Sequence, residues 1–128
     1  FAQIGSSGEY AKIGSSGDSA RIGSSGNLAK IGSSGDSAQI GSSGDSARIG
    51  SSGYDARIEL NGKDSVGMAA GPDSKIKGKL GCWITLSEWK LDGNRYIPLC
   101  VKSAQIDGKI LKEDTFYKLI DGEFVEAE

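Results

Sequence analysis

Apolar positions in the first half of this chain keep a strict beat. Ala-x-Ile occurs seven times at nine-residue spacing, with isoleucines at Ile4, Ile13, Ile22, Ile31, Ile40, Ile49 and Ile58. The middle residue is Gln3, Lys12, Arg21, Lys30, Gln39, Arg48 or Arg57, always long and polar. Side chains alternate across a strand, so this pattern predicts short strands with Ala and Ile inward and the polar residue in water. A short fixed period predicts a solenoid, in which each unit buries its apolar face only against its neighbours. Gly-Ser-Ser-Gly follows the first six isoleucines. It is expected to turn the chain, with glycine accepting positive φ.

Nine is odd, so strict alternation would reverse the inward face in each unit, and the turn must absorb one residue. Ala plus Ile fills only a thin interior, which favours two close sheets and about 18 residues per coil over a three-sided prism. That arrangement stacks Gln3, Arg21, Gln39 and Arg57 on one outer face and Lys12, Lys30 and Arg48 on the other. The corners then carry Glu9, Asn27 and Asp45 on one edge, with Asp18, Asp36 and Tyr54 on the other. Gln and Asn would dilute the repulsion between stacked like charges. Serines in buried ladders would satisfy corner backbone groups. About three such coils are expected.

The beat loosens after Ile58, through Leu60, Val66 and Met68. A new alternation then runs through Ile76, Gly78, Leu80, Cys82, Ile84 and Leu86. Asp92-Gly93, Asp107-Gly108 and Asp121-Gly122 are hairpin signals between strand-like runs. The expected organisation is an all-β chain. Residues 1–81 form a nonapeptide-repeat β-solenoid with a degenerate last coil, and residues 82–128 a small antiparallel β-hairpin cap. Cap strands are predicted near 82–91, 95–106, 109–112, 116–120 and 123–126. A cap is needed because an open coil end is an unpaired sheet edge.

Charge narrows the function classes. The net charge is −2, and residues 1–58 hold five basic and five acidic residues. No basic excess points to nucleic acid, and no apolar stretch approaches a membrane span of about 20 residues. The chain enters in mid-repeat at Phe1-Ala2-Gln3-Ile4 without a charged leader, so no signal peptide is expected and residue 1 reads as a boundary within a longer array. Localisation is left open. Histidine is absent, which removes the commonest general base and metal ligand. Cys82 and Cys100 fit no zinc spacing, and free buried thiols are favoured over a disulfide.

The tandem Ala-x-Ile-Gly-Ser-Ser-Gly units, closed by Asp107-Gly108-Lys109-Ile110-Leu111-Lys112-Glu113-Asp114-Thr115-Phe116-Tyr117-Lys118-Leu119 and Asp121-Gly122-Glu123-Phe124-Val125, resemble uncharacterised nonapeptide-repeat β-solenoid proteins of prophages and gut bacteria. The resemblance spans nearly the whole chain. In those proteins a tryptophan is commoner where Phe116 stands, and a globular domain often precedes the repeats. The resemblance implies the fold and transfers no functional residue.

Candidate chemistry is thin. The calcium β-roll repeat is also nine residues long, but here the acidic residue falls one place early and is replaced at Asn27 and Tyr54. Its pattern would also bury Lys12, Arg21 and Lys30, at heavy cost. An ice-binding face needs small hydroxyl and methyl groups where this array has Lys, Arg and Gln. Lys75, Lys77 and Lys79 alternate and suggest an anion row, though solvated lysines guarding a sheet edge suit them better. Trp83, Trp89, Tyr96, Phe116 and Tyr117 suggest a sugar groove, with packing inside the cap as the favoured reading. Gly-Ser-Ser-Gly lacks the lysine and helix of a phosphate loop. No catalytic, cofactor or metal residues emerge. The sequence predicts a non-catalytic structural or interaction module that spaces or presents attached domains and self-associates through its N-terminal coil. The alternative is a carbohydrate-binding module using the cap aromatics.

Overall fold

The computed structural model describes residues 1–127; Glu128, the last residue of the expected cap, lies outside the described residues. Among those described there is no helix. Nine four-residue strands follow at close intervals: β1 Gln3–Ser6, β2 Lys12–Ser15, β3 Arg21–Ser24, β4 Lys30–Ser33, β5 Gln39–Ser42, β6 Arg48–Ser51, β7 Arg57–Leu60, β8 Val66–Ala69 and β9 Lys75–Gly78. Four longer or hairpin strands complete the chain: β10 Trp83–Asp92, β11 Arg95–Gln105, β12 Phe116–Ile120 and β13 Glu123–Ala127. Odd-numbered strands β1 to β9 lie in one sheet with β12 and β13, and even-numbered strands β2 to β10 lie in the other with β11. The protein is a two-sided β-solenoid of 18 residues per coil.

Register is strict. Ile4, Ile22, Ile40, Ile58 and Ile76 stack in one sheet, and Ile13, Ile31 and Ile49 in the other. Alternation holds for seven residues of each unit: Ala20, Ile22, Ser24 and Gly26 are buried, while Arg21, Gly23 and Ser25 are exposed. Two successive outward residues, Asn27 and Leu28, then absorb the odd position. This solves the parity problem of a nine-residue unit.

Three expectations are corrected. The strand is x-Ile-Gly-Ser rather than Ala-x-Ile, so the first glycine and first serine belong to the strand and only the latter half of the unit turns. The left-handed residue is the one preceding Ala, not a repeat glycine: Tyr10, Ser19, Leu28, Ser37, Ser46, Asp55, Asp64 and Asp73 have φ between 56 and 62°. From Tyr10 to Asp55 that twist aims the N–H at the next coil; Leu28 N–H donates to Asp45 O at 2.9 Å and Ser37 N–H to Tyr54 O at 2.7 Å. A coil-to-coil bond thereby offsets a conformation that costs roughly 1–2 kcal/mol for an L-residue. Finally, the array has about five coils, not three. Gly62 and Gly71 keep the nine-residue beat beyond the last Ala-x-Ile, and β7 to β10 form two more coils.

These later coils exchange residues in a compensating way. Gly67 takes the place of an isoleucine, and a methyl built on it would meet Leu60 Cδ1 at 3.2 Å and Ile58 Cγ2 at 3.3 Å. Leu60, fully buried where earlier units have serine, fills that volume. Ser65 and Ser74 replace alanine, and their Oγ atoms accept the N–H of Ala47 and Ala56 at 3.1 Å each.

Residues beyond 82 extend both sheets. β10 pairs parallel with β8 and then turns back as β11, while β12 pairs antiparallel with β9 and continues to β13. Glu88 joins the two hairpins, its carboxylate accepting the N–H groups of Asp121 at 2.6 Å and Gly122 at 2.9 Å. The strand expected at 109–112 is instead a turn: Asp107 Oδ1 accepts the N–H of Lys109, Ile110 and Leu111 at 2.9, 2.9 and 3.1 Å. These bonds hold its carboxyl below the usual carboxylate range. Leu80, expected to share one face with Ile76, Gly78, Cys82, Ile84 and Leu86, instead stands exposed in the turn between β9 and β10.

Candidate functional site

Function in a solenoid must be sought on its faces and corners, because the interior is filled by Ile, Ala and Ser. The two broad faces differ chemically. Each carries a row of long polar residues beside a row of outward glycines, which leaves a trough running along the solenoid axis. On the odd-numbered face the rows are Gln3, Arg21, Gln39, Arg57 and Gly5, Gly23, Gly41, enclosing about 670 Å³. That trough ends at Glu59 and Phe116. Lys77 lies 3.3 Å from Glu59 and 5.0 Å from the Phe116 ring centre, and the Arg57 guanidinium lies 5.7 Å from the same centre. Charge there is diluted by glutamine and answered by Glu59.

The even-numbered face is different. Lys12, Lys30 and Arg48 stand in register with no neutral residue between them, about 4.8 Å apart along the ladder. Glycines 14, 32 and 50 form the floor of a trough of about 730 Å³ closed by Val66 and Met68. A methyl added at any of these three glycines would meet nothing within 4 Å. The cation row continues in register to Val66 and then Trp83. Among the described residues, none of the three cations has an ion-pair partner.

The corners carry a second kind of ladder. Asp18 Oδ1 accepts Asp36 N–H at 3.0 Å, and Asp36 Oδ1 accepts Tyr54 N–H at 3.0 Å. On the other edge Asn27 Oδ1 serves Asp45 N–H and Asp45 Oδ1 serves Lys63 N–H, each at 2.9 Å. A short side-chain oxygen in one coil thus satisfies the corner amide of the next. Asn does this as well as Asp, which explains their interchange. Among the described residues no group of three His, Cys, Asp or Glu side chains is placed to hold a metal ion.

The other sequence candidates disperse. Lys75, Lys77 and Lys79 do not guard an edge, since β9 is paired on both sides with β7 and β12. Nor do they form a free anion row: Lys77 meets Glu59, and Lys79 meets Asp114 at 2.8 Å, which raises its pKa. Of the aromatics only Tyr117 is in the core, its hydroxyl accepting Lys112 N–H at 2.7 Å. Trp89 donates Nε1–H to Ala70 O at 2.8 Å. Tyr96 lies 6.3 Å from Tyr54, whose hydroxyl donates to Asp73 at 2.8 Å. That bond and the Asp73 charge push the Tyr54 phenol up to about 12. Trp83 is exposed at the end of the cation row. The five rings therefore make neither one core cluster nor one groove. Cys82 and Cys100 are both free thiols, and the buried Cys82 thiol donates to Gly62 O at 3.3 Å.

Ser24, Ser33 and Ser42 depart from the expected serine ladders, because their buried Oγ atoms have no hydrogen-bond partner. Sequence reasoning also passed over the run of cations into Val66, Met68 and Trp83. The glycine beat through Gly62 and Gly71 was the signal that placed them. The chain matches no protein-family model, no curated protein and no solved structure.

Proposed function

We propose that the chain is a non-catalytic repeat scaffold that spaces attached domains and presents regular side-chain ladders to a partner. The observation that carries this reading is the unbroken register of β1 to β9, which repeats each outward position once per coil on a fixed face. Such an array grows by stacking without altering its cross-section. The inward serines have no histidine to activate them, and no residue is assigned a catalytic role. Inserting one further coil of two repeats between Asn27 and Leu28 tests the scaffold reading. It should lengthen the particle by about 4.8 Å in small-angle scattering while preserving or raising its Tm. Loss of cooperative unfolding in the longer chain would reject it.

Within residues 1–127, β1 and β2 each pair on one side only. We propose that a second copy of the chain covers this edge by strand pairing, the least costly cover for open backbone groups. Light scattering behind a sizing column, across a concentration series, should show a dimer that is lost when residues 1–18 are replaced by a polar cap. A monomer at every concentration would remove the idea.

A further inference from the structure

The cation row on the even-numbered face is not explained by folding. Stacked like charges on one sheet face destabilise it, and the opposite face relieves the same problem with Gln3, Gln39 and Glu59. Lys12, Lys30 and Arg48 have no such relief. The corner preceding this face does not neutralise them through ion pairs, since Asn27 and Asp45 turn their Oδ1 atoms to backbone amides. Beside the row the glycine floor is bare, and in line with it stands an exposed indole, Trp83. From Lys12 to Trp83 the row crosses four ladder steps, roughly 19 Å.

We infer that this face binds a linear acidic polysaccharide lying along the solenoid axis. Its carboxylates meet Lys12, Lys30 and Arg48, its sugar rings lie over Gly14, Gly32 and Gly50, and a terminal ring stacks on Trp83. Charge complementarity selects a polyanion, and the shape of the trough selects its class. An extended acidic peptide rises about 3.4 Å per residue with side chains alternating, so its charges fall out of step with a ladder of about 4.8 Å. Lying along the axis it would also cross the sheet face, where the backbone groups are used within the ladder and, along the trough, only the outer edge of β2 is open. A single-stranded nucleic acid wants an aromatic platform under successive bases, and the floor here is glycine. Rings with apolar faces and regularly placed carboxylates suit a flat, unencumbered strip. The inference goes beyond the scaffold reading, which rests on coil register and would survive its failure.

Calorimetric titration of the full chain with an oligogalacturonate provides the test. Lys30→Gln should weaken binding by about tenfold, the worth of one charge-assisted contact. Gly32→Val should abolish binding by filling the trough. It should leave the circular dichroism spectrum and Tm intact, because a β-carbon at Gly32 would meet nothing within 4 Å and valine suits a strand. Arg21→Gln and Gly23→Val, the matching changes on the opposite face, should leave binding unchanged. Absence of oligogalacturonate binding, equal losses from both faces, or tighter binding of polyglutamate or an oligothymidylate would each overturn the assignment.

Discussion

A methyl group built on Gly44 would stand 2.0 Å from the carbonyl oxygen of Gly26, one coil below. The same approach recurs from Gly35 to Gly17 at 2.1 Å and from Gly62 to Gly44 at 2.0 Å. From Gly26 onward the second glycine of each Gly-Ser-Ser-Gly is therefore a contact point between backbones, and no side chain fits there. Gly32, the first glycine of its unit, faces open space. Gly44→Ala should abolish folding or cost several kcal/mol, since coil separation is fixed by the sheet ladders on both sides. Gly32→Ala should be neutral or stabilising by up to about 1 kcal/mol, from reduced freedom in the unfolded chain. Chemical denaturation of the two variants checks the contrast, and equal effects would refute it.

Two buried serines in different ladders predict a difference in sign. Ser42 Oγ is buried without a partner, so Ser42→Ala removes an unsatisfied hydroxyl and should stabilise the protein by about 1 kcal/mol. Ser65 Oγ accepts the Ala47 N–H, so Ser65→Ala orphans a buried donor and should cost about 1–3 kcal/mol. Urea titration measures both. A destabilised Ser42→Ala would show that the hydroxyl is engaged.

The left-handed corner residue offers a route to greater stability. Ser46 has φ of 57°, and its N–H donates to Lys63 O at 2.8 Å. Ser46→Gly should relieve the backbone strain, less the entropy that glycine loses on folding, for a net gain of up to about 1 kcal/mol. A lower Tm for this variant would contradict the corner geometry.

Glu88 predicts a local effect at the far end. Glu88→Ala frees the Asp121 and Gly122 amides, which its carboxylate now binds. Hydrogen exchange at those two amides should accelerate strongly, while the amides of β3 to β6 keep their protection. Unchanged exchange at Asp121 would dissolve the link between the two hairpins.

Tyr54 predicts a pH response. Its phenol is raised to about 12 by the hydrogen bond to Asp73 and by that carboxylate's charge, against about 10 in an unfolded chain. The bond's contribution to stability is therefore complete below about pH 10 and is lost as pH rises from 10 to 12. Near-ultraviolet absorbance should show a late-titrating tyrosine component that Asp73→Asn shifts back toward the ordinary range. Ordinary titration of Tyr54 before the substitution would contradict the contact.

Much of the fold was legible because period and side-chain size are local properties. Ala-x-Ile at nine residues gives the inward and outward sets, and the thin Ala-Ile interior leads to two sheets and the stacked faces Gln3/Arg21/Gln39/Arg57 and Lys12/Lys30/Arg48. The hairpins at Asp92-Gly93 and Asp121-Gly122 follow from the preference of such pairs for tight turns. The expected coil number is too low because Gly67 breaks the Ala-x-Ile pattern and Leu60 the Gly-Ser-Ser-Gly pattern, while together they keep the interior filled. That exchange is visible only when both sheets are seen together.

The two glycines of Gly-Ser-Ser-Gly show where sequence reading stops. In the one-dimensional chain they are equivalent, and both suggest turns. In the folded protein one opens a trough beside Lys30, and the other lets backbones of successive coils touch. Their difference depends on which face of a ladder each residue occupies and on what the next coil places there, 18 residues away. The same holds for the three lysine and arginine side chains of the even-numbered face. Sequence alone established that they stack. Only tertiary structure set them beside a bare floor, without ion-pair partners among the described residues, and in line with Trp83, because ion pairing and exposure depend on neighbours that folding brings together.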